Sequence, residues 1–161
     1  MPETLTEEKT VQTLVIRKEQ RIDAPIEVAF QAVLDELGPE GQFEDGKTLN
    51  FKLEPWPGGR WYRDLGNNAG HLWGHVQVIK PPGLLEICGP LPMSYPAVNH
   101  IQYRLTPDGD GTLLKFTHRA MGLIPKEHRD GMPQGWEFGL KRIRELAERK
   151  AGSTHTKEIK R

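Results

Sequence analysis

Near the end of the chain, the stretch QGWEFGLKRIRELAERK from Gln134 to Lys150 limits the possible folds more than any other. Trp136, Leu140, Ile143 and Ala147 recur at steps of four, three and four, with Gly139 and Leu146 beside them, forming one apolar stripe of helical period. Glu137, Lys141, Arg142, Arg144, Glu145 and Glu148 fill the other side. Glu137–Lys141 and Glu145–Arg149 are acid-first pairs four residues apart, each worth roughly 0.3 kcal/mol when exposed. Such a helix runs about 25 Å, long enough to cross several strands. A helix that is apolar on one side only needs an apolar surface to lie on, and the preceding residues supply it as strands of period two.

Asp23-Ala-Pro-Ile-Glu reads as a helix start, with Asp23 as N-cap, Pro25 in the first turn and Glu27 completing the cap. The short helix carries Val28, Ala29, Ala32, Val33 and Leu37 and stops at Gly38-Pro39. Before it, Ile16, Lys18, Gln20 and Ile22 share a face of a first strand. From Thr48 to Ala120, turn signals at Pro57, Asn67, Pro81, Gly89 and Pro107 divide the chain into an antiparallel meander of six strands. Taking Asp108-Gly109 as a two-residue turn pairs Tyr103 with Leu114, Ile101 with Phe116 and Asn99 with His118. The same reasoning pairs Arg63 with Gly74 and Trp61 with Val76, then Val78 with Leu85 and Val76 with Ile87. One face then collects Leu49, Phe51, Leu53, Trp61, Leu65, Val76, Val78, Ile87, Ile101, Tyr103, Leu114 and Phe116, and it should meet the Trp136 helix. The opposite face carries Tyr62, Trp73, His75, Ile79, Leu84 and Cys88, apolar enough to suggest a homodimer or a covering segment. Residues 123–133 read as a short helical turn leading into the long helix.

The expected architecture is α+β: a curved antiparallel sheet wrapped around a long C-terminal helix, with a short helix after the first strand. Residues 11–150 form one domain, with 1–10 and 151–161 as flexible tails. This order resembles the helix-grip fold of the START-like (SRPBCC) superfamily. Within it, the resemblance is to proteins related to the activator of heat-shock protein 90 ATPase. It is carried by RIDAPIEVAF at 21–30, PGGRWYRD at 57–64, HVQVIKPPGLLEI at 75–87, DGTLLKFTHRAMG at 110–122 and GWEFGLKRI at 135–143. The resemblance implies carriers of apolar ligands, cyclases or stress-linked proteins. The additional N-terminal domain of the eukaryotic chaperone activators has no counterpart in these residues, which ranks a chaperone role below ligand binding.

Twenty-two basic residues balance 22 acidic ones, so no global field favours nucleic acid or an anionic membrane. With no long apolar run and an acidic, polar start, the expected location is cytoplasmic. The single cysteine excludes an internal disulfide and a cysteine-based zinc cluster. His71 and His75 lie four apart on a strand, about 13 Å, too far to share one ion, so no metal and no cofactor is expected. There is no Gly-x-Ser-x-Gly elbow and no phosphate-binding glycine loop.

The candidate site is therefore a cavity between sheet and helix, lined by Trp61, Arg63, Tyr103, Phe116, His118, Trp136, Gly139 and Leu140. The expected function is non-catalytic binding of a small apolar or amphiphilic molecule. The alternatives are a cyclase or hydratase using His118 or Tyr103 as general acid/base, and a partner-binding scaffold. Arg63 carries the sharpest expectation. An arginine on the inner face is either an anion clamp for a ligand's acidic head, or it lies at a strand end where it reaches water or an acid. Gly139 lies beside Trp136 on the buried stripe, so either a sheet side chain or a ligand must approach it closely.

Overall fold

The computed structural model describes the backbone of residues 2–159 and the side chains of residues 2–152. Seven antiparallel strands form one sheet: β1 (Gln12–Ile22), β2 (Phe51–Leu53), β3 (Arg60–Gly66), β4 (Ala69–Lys80), β5 (Leu84–Gly89), β6 (Ala97–Asp108) and β7 (Gly111–Gly122). Strands β2 to β7 meander in order, and β1 closes the series beside β7. Helix α1 (Ile26–Glu36) leaves β1, and helix α2 (Lys126–Ile159) follows β7 and packs on α1 and β1. This is the expected helix-grip arrangement.

Local chemistry departs from expectation at both helices. Pro25, not Asp23, is the N-cap of α1, with no side-chain cap. Asp23 instead pairs with the Arg21 guanidinium. Helix α2 begins at Lys126 and absorbs the segment expected to be a separate turn, so Pro133 lies inside it. Lacking an N–H, Pro133 leaves the Arg129 carbonyl without its usual partner. The helix continues to Ile159, past the expected end at Lys150. Residues 2–11 have no regular structure, and residues 160–161 lie outside the described residues.

The β6–β7 hairpin turns through Gly109-Asp110, one residue later than expected, with Gly109 at φ 60°. A positive φ at the first central position suits a two-residue hairpin. The partners become Tyr103–Phe116, Ile101–His118 and Asn99–Ala120. This is a slip of two, so every side chain keeps its face.

The register shifts in β3 and β4 have the opposite consequence. The β3–β4 turn is Asn67-Asn68, both at positive φ. Trp61 pairs with Gly74 and Tyr62 with Leu72, so Trp73 is an extra residue on β4. A second shift between Val76 and Val78 pairs Val78 with Glu86 and Ile79 with Leu85. Trp73 and Ile79, expected outside, therefore pack against the core. Leu65, expected inside, falls in a further irregularity and is 53% exposed. Each one-residue insertion inverts the faces beyond it. The backbone comes close at the Trp73 bulge: a Cβ on Gly74 would stand 2.8 Å from the Cys88 carbonyl oxygen. The outer patch proposed as a dimer surface thus loses Trp73 and Ile79.

The core runs along the inner face through Phe51, Trp61, Val76, Leu85, Ile87, Ile101, Tyr103, Leu105, Leu114 and Phe116. Leu140, Ile143 and Ala147 of α2 are buried on it, as the apolar stripe requires.

Candidate functional site

Between the sheet, the end of α1 and the first half of α2 lies a cavity of about 470 Å³. Its lining is mainly apolar and aromatic, with Phe51, Trp61 and Trp73 on the sheet side and Trp136, Phe138 and Leu140 on the helix. The exposed lining residues Glu127, His128, Gly131 and Gly135 mark its mouth. Glu36 and Tyr103, 7% and 2% exposed, lie at its depth.

The aromatic wall is built by contacts among the neighbouring strands β2, β3 and β4. The rings of Phe51, Trp61 and Trp73 meet pairwise at 5.1, 4.7 and 5.1 Å, two of the three contacts edge-on. Trp61 Nε1 donates to the Leu37 carbonyl at 2.7 Å, satisfying a group left open at the end of α1. Trp73 Nε1 is buried with no acceptor.

His118 is fully buried and committed on both nitrogens. Trp136 Nε1 donates to its Nδ1 at 3.0 Å, so the ring proton sits on Nε2 and is donated to Asn99 Oδ1 at 2.7 Å. Asn99 Nδ2 in turn faces the Pro90 carbonyl at 3.2 Å. Burial pushes the imidazole down to about 4, so it is neutral at physiological pH. The chain of bonds fastens α2 to the sheet.

Glu36 is the polar exception. It stands on the last turn of α1, seven residues after Ala29 and three after Val33, on the buried stripe of that helix. Desolvation pushes its carboxyl up to about 7, against the opposing pull of Arg142. Arg142 Nε lies 3.5 Å from Glu36 Oε2, yet neither atom has a hydrogen bond. Arg142 is held instead by Nη2 donating to the Glu40 carbonyl at 2.9 Å. Tyr103 is near enough for Glu36 to help burial raise its phenol well above the ordinary range. The Tyr103 hydroxyl has no hydrogen bond among the described residues.

Three glycines one helical turn apart, Gly131, Gly135 and Gly139, line the cavity from α2. A Cβ on any of them would meet nothing within 4 Å. Of the two alternatives expected at Gly139, a sheet side chain or a ligand, the sheet side chain is not there. The glycine face opens onto empty space.

Of the expected site residues, Trp61, Tyr103, His118, Trp136, Gly139 and Leu140 meet in the cavity wall. Phe116 lies beneath it, 1% exposed, its ring 5.0 Å from Tyr103 and 4.5 Å from Trp136. Arg63 does not reach the cavity. It pairs with Phe51 at the sheet edge, donates from Nε to the Leu49 carbonyl at 2.8 Å and lies over the Phe43 ring. A neutral carbonyl and a ring face occupy it, so the anion-clamp expectation is not met. Sequence reasoning missed Trp73, hidden by the bulge, and Glu36, whose signal was its place on an apolar stripe. His75 and Cys88 are cross-strand partners, but no group of three His, Cys, Asp or Glu among the described residues is placed to hold a metal. Burial and Glu86 push the Cys88 thiol up, away from thiolate reactivity. No helix among the described residues is long and apolar enough to cross a membrane.

The family model described as Activator of Hsp90 ATPase homolog 1-like protein matches residues 23–148. Among solved structures, an uncharacterised protein from Rhizobium leguminosarum is 20% identical, with 89% of this chain and 99% of that chain covered and a TM-score of 0.68. CalU16 from Micromonospora echinospora is 22% identical over 86% of this chain and 87% of that one, with a TM-score of 0.58. DynU16, from the dynemicin biosynthetic locus, is 16% identical over 83% of this chain and 47% of its own, also with a TM-score of 0.58. At these identities the likeness speaks to the fold alone. No match is found among curated proteins.

Proposed function

This chain belongs to the Activator of Hsp90 ATPase homolog 1-like family, and from that membership and the site geometry we propose that it binds a small apolar or amphiphilic molecule between the sheet and α2 without transforming it. The observation that carries this reading is the glycine-faced cavity. A helix with three glycines on one face gives up about 1 kcal/mol at each relative to alanine. No neighbouring protein atom requires them. Room for a guest is what they supply. A volume of about 470 Å³ falls in the range of small-molecule sites.

The non-catalytic part of the reading draws support from His118, whose two nitrogens are both engaged. Tyr103, its phenol raised by burial, stays un-ionised and is a weak acid. A second reading rests on Glu36: a carboxyl titrating at about 7 in an apolar cavity is suited to general acid/base work. It ranks second because Arg142 and burial already account for that carboxyl.

The test is titration with Nile red, an uncharged apolar dye whose emission rises in an apolar site. The wild type should bind it saturably at one per chain. Gly135→Leu and Gly139→Leu, which fill the cavity from the helix side, should lose binding while keeping the wild-type circular dichroism. Equal binding by the filled variants would refute the proposal.

A further inference from the structure

The polar groups at the depth of the cavity restrict what the guest can carry, and this inference rests on the cavity being the binding site. Glu36 and Arg142 already form one ion pair, 92% and 87% buried at their side chains. A second anion at that spot would face the Glu36 carboxylate. A second cation would share that carboxylate with Arg142. Either would leave a net charge in an apolar enclosure, where an unpaired charge is strongly disfavoured. A purely apolar guest avoids the charge but strands the Tyr103 hydroxyl and the Glu36 carboxylate, both cut off from bulk water. Among simple groups, only an uncharged one that both donates and accepts meets the demands together.

We propose that the cavity selects an uncharged, ring-bearing molecule with a hydroxyl group, which donates to the Glu36 carboxylate and accepts from the Tyr103 hydroxyl. The ring system follows from the walls: Phe51, Trp61 and Trp73 on one side and Trp136 and Phe138 on the other present aromatic surface to the guest. This replaces the acidic head that the Arg63 expectation required.

The experiment compares four probes of one ring system by calorimetry on the wild type: naphthalene, naphthol, naphthoate and naphthylmethylammonium. It is run at about pH 8, where the Glu36 carboxyl is ionised. Naphthol should bind about tenfold more tightly than naphthalene, and both charged probes no better than naphthalene. Tyr103→Phe should weaken naphthol by about fivefold and bind naphthalene somewhat more tightly than the wild type, since the hydroxyl that naphthalene strands is gone. If naphthol and naphthalene bind alike, the hydroxyl selection is overturned while the cavity remains a binding site. A charged probe binding tightest overturns it in favour of ionic recognition. If no probe binds and Nile red also fails, the binding reading itself falls and takes this inference with it.

Discussion

Replacing Gly131, Gly135 and Gly139 together by alanine should make the protein more stable and worse at binding. Glycine inside a helix is about 1 kcal/mol less favourable than alanine, through backbone entropy in the unfolded chain and weaker helix propensity. Whether that gain is realised depends on what a new methyl meets, and at all three positions it meets nothing within 4 Å. The three sites lie one turn apart and share no packed neighbour, so their effects should nearly add, to about 2–3 kcal/mol. For a chain of 161 residues this corresponds to a midpoint shift on the order of 5–10 °C. Urea unfolding followed by circular dichroism measures the gain, and Nile red titration measures the loss of cavity space. Gly74→Ala is the matched control. Its Cβ would press on the Cys88 carbonyl oxygen and Ile87 Cγ2, both at 2.8 Å, so the same chemistry there should destabilise by about 1–3 kcal/mol. A triple variant less stable than the wild type would mean that the glycine face is packed against protein. The cavity would then be closed and the reasoning refuted.

Three further outcomes follow from the site. Glu36 titrates at about 7 in the folded state against 4.5, so its stabilising proton is held fully below pH 4.5 and that stabilisation is lost as pH rises through 7. His118, moved from 6.5 to about 4, does the reverse: its contribution is present above 6.5 and lost as pH falls through 4. With Arg142, Tyr103 and Glu40 as the groups facing Glu36, Glu36→Gln should leave the His118 slope unopposed. Stability measured by urea should then climb more steeply from about pH 4.5 to 6.5, by an added 2 kcal/mol or so, and an unchanged slope refutes the assignment. His118→Ala strands Trp136 Nε1 and Asn99 Oδ1 and should lower stability by about 2–4 kcal/mol, so lost activity in that variant would not by itself identify a catalytic histidine. Arg63→Met removes a bond to the Leu49 carbonyl at the sheet edge, which should cost about 1 kcal/mol in urea and leave Nile red affinity unchanged; altered affinity would restore Arg63 to the site.

The sequence by itself determined the order of elements, the face of α2 that is buried and most of the inner face of the sheet. These depend on periodicity alone. The slip of two residues at Gly109-Asp110 changed every cross-strand partner of β6 and β7 but no side chain's face. His118 and Asn99 therefore still found each other diagonally, two residues apart in register. Tertiary structure alone decided whatever hangs on a single residue of register. The bulge at Trp73 lies beside the close approach of β4 to β5 at Gly74 and a second shift follows at Val76–Val78, encounters among strands that no local pattern records. They turned Trp73 and Ile79 inward and so removed two residues from the expected outer patch. The meaning of the α2 glycines was decided in the same way. Sequence could show that Gly139 sits beside the buried stripe, but whether a strand or a void faces it depends on how far the sheet curves away. Glu36 lay between the two cases. Its place on an apolar stripe was legible, whereas its pairing with Arg142, 106 residues later in the chain, existed only once α2 had crossed the end of α1.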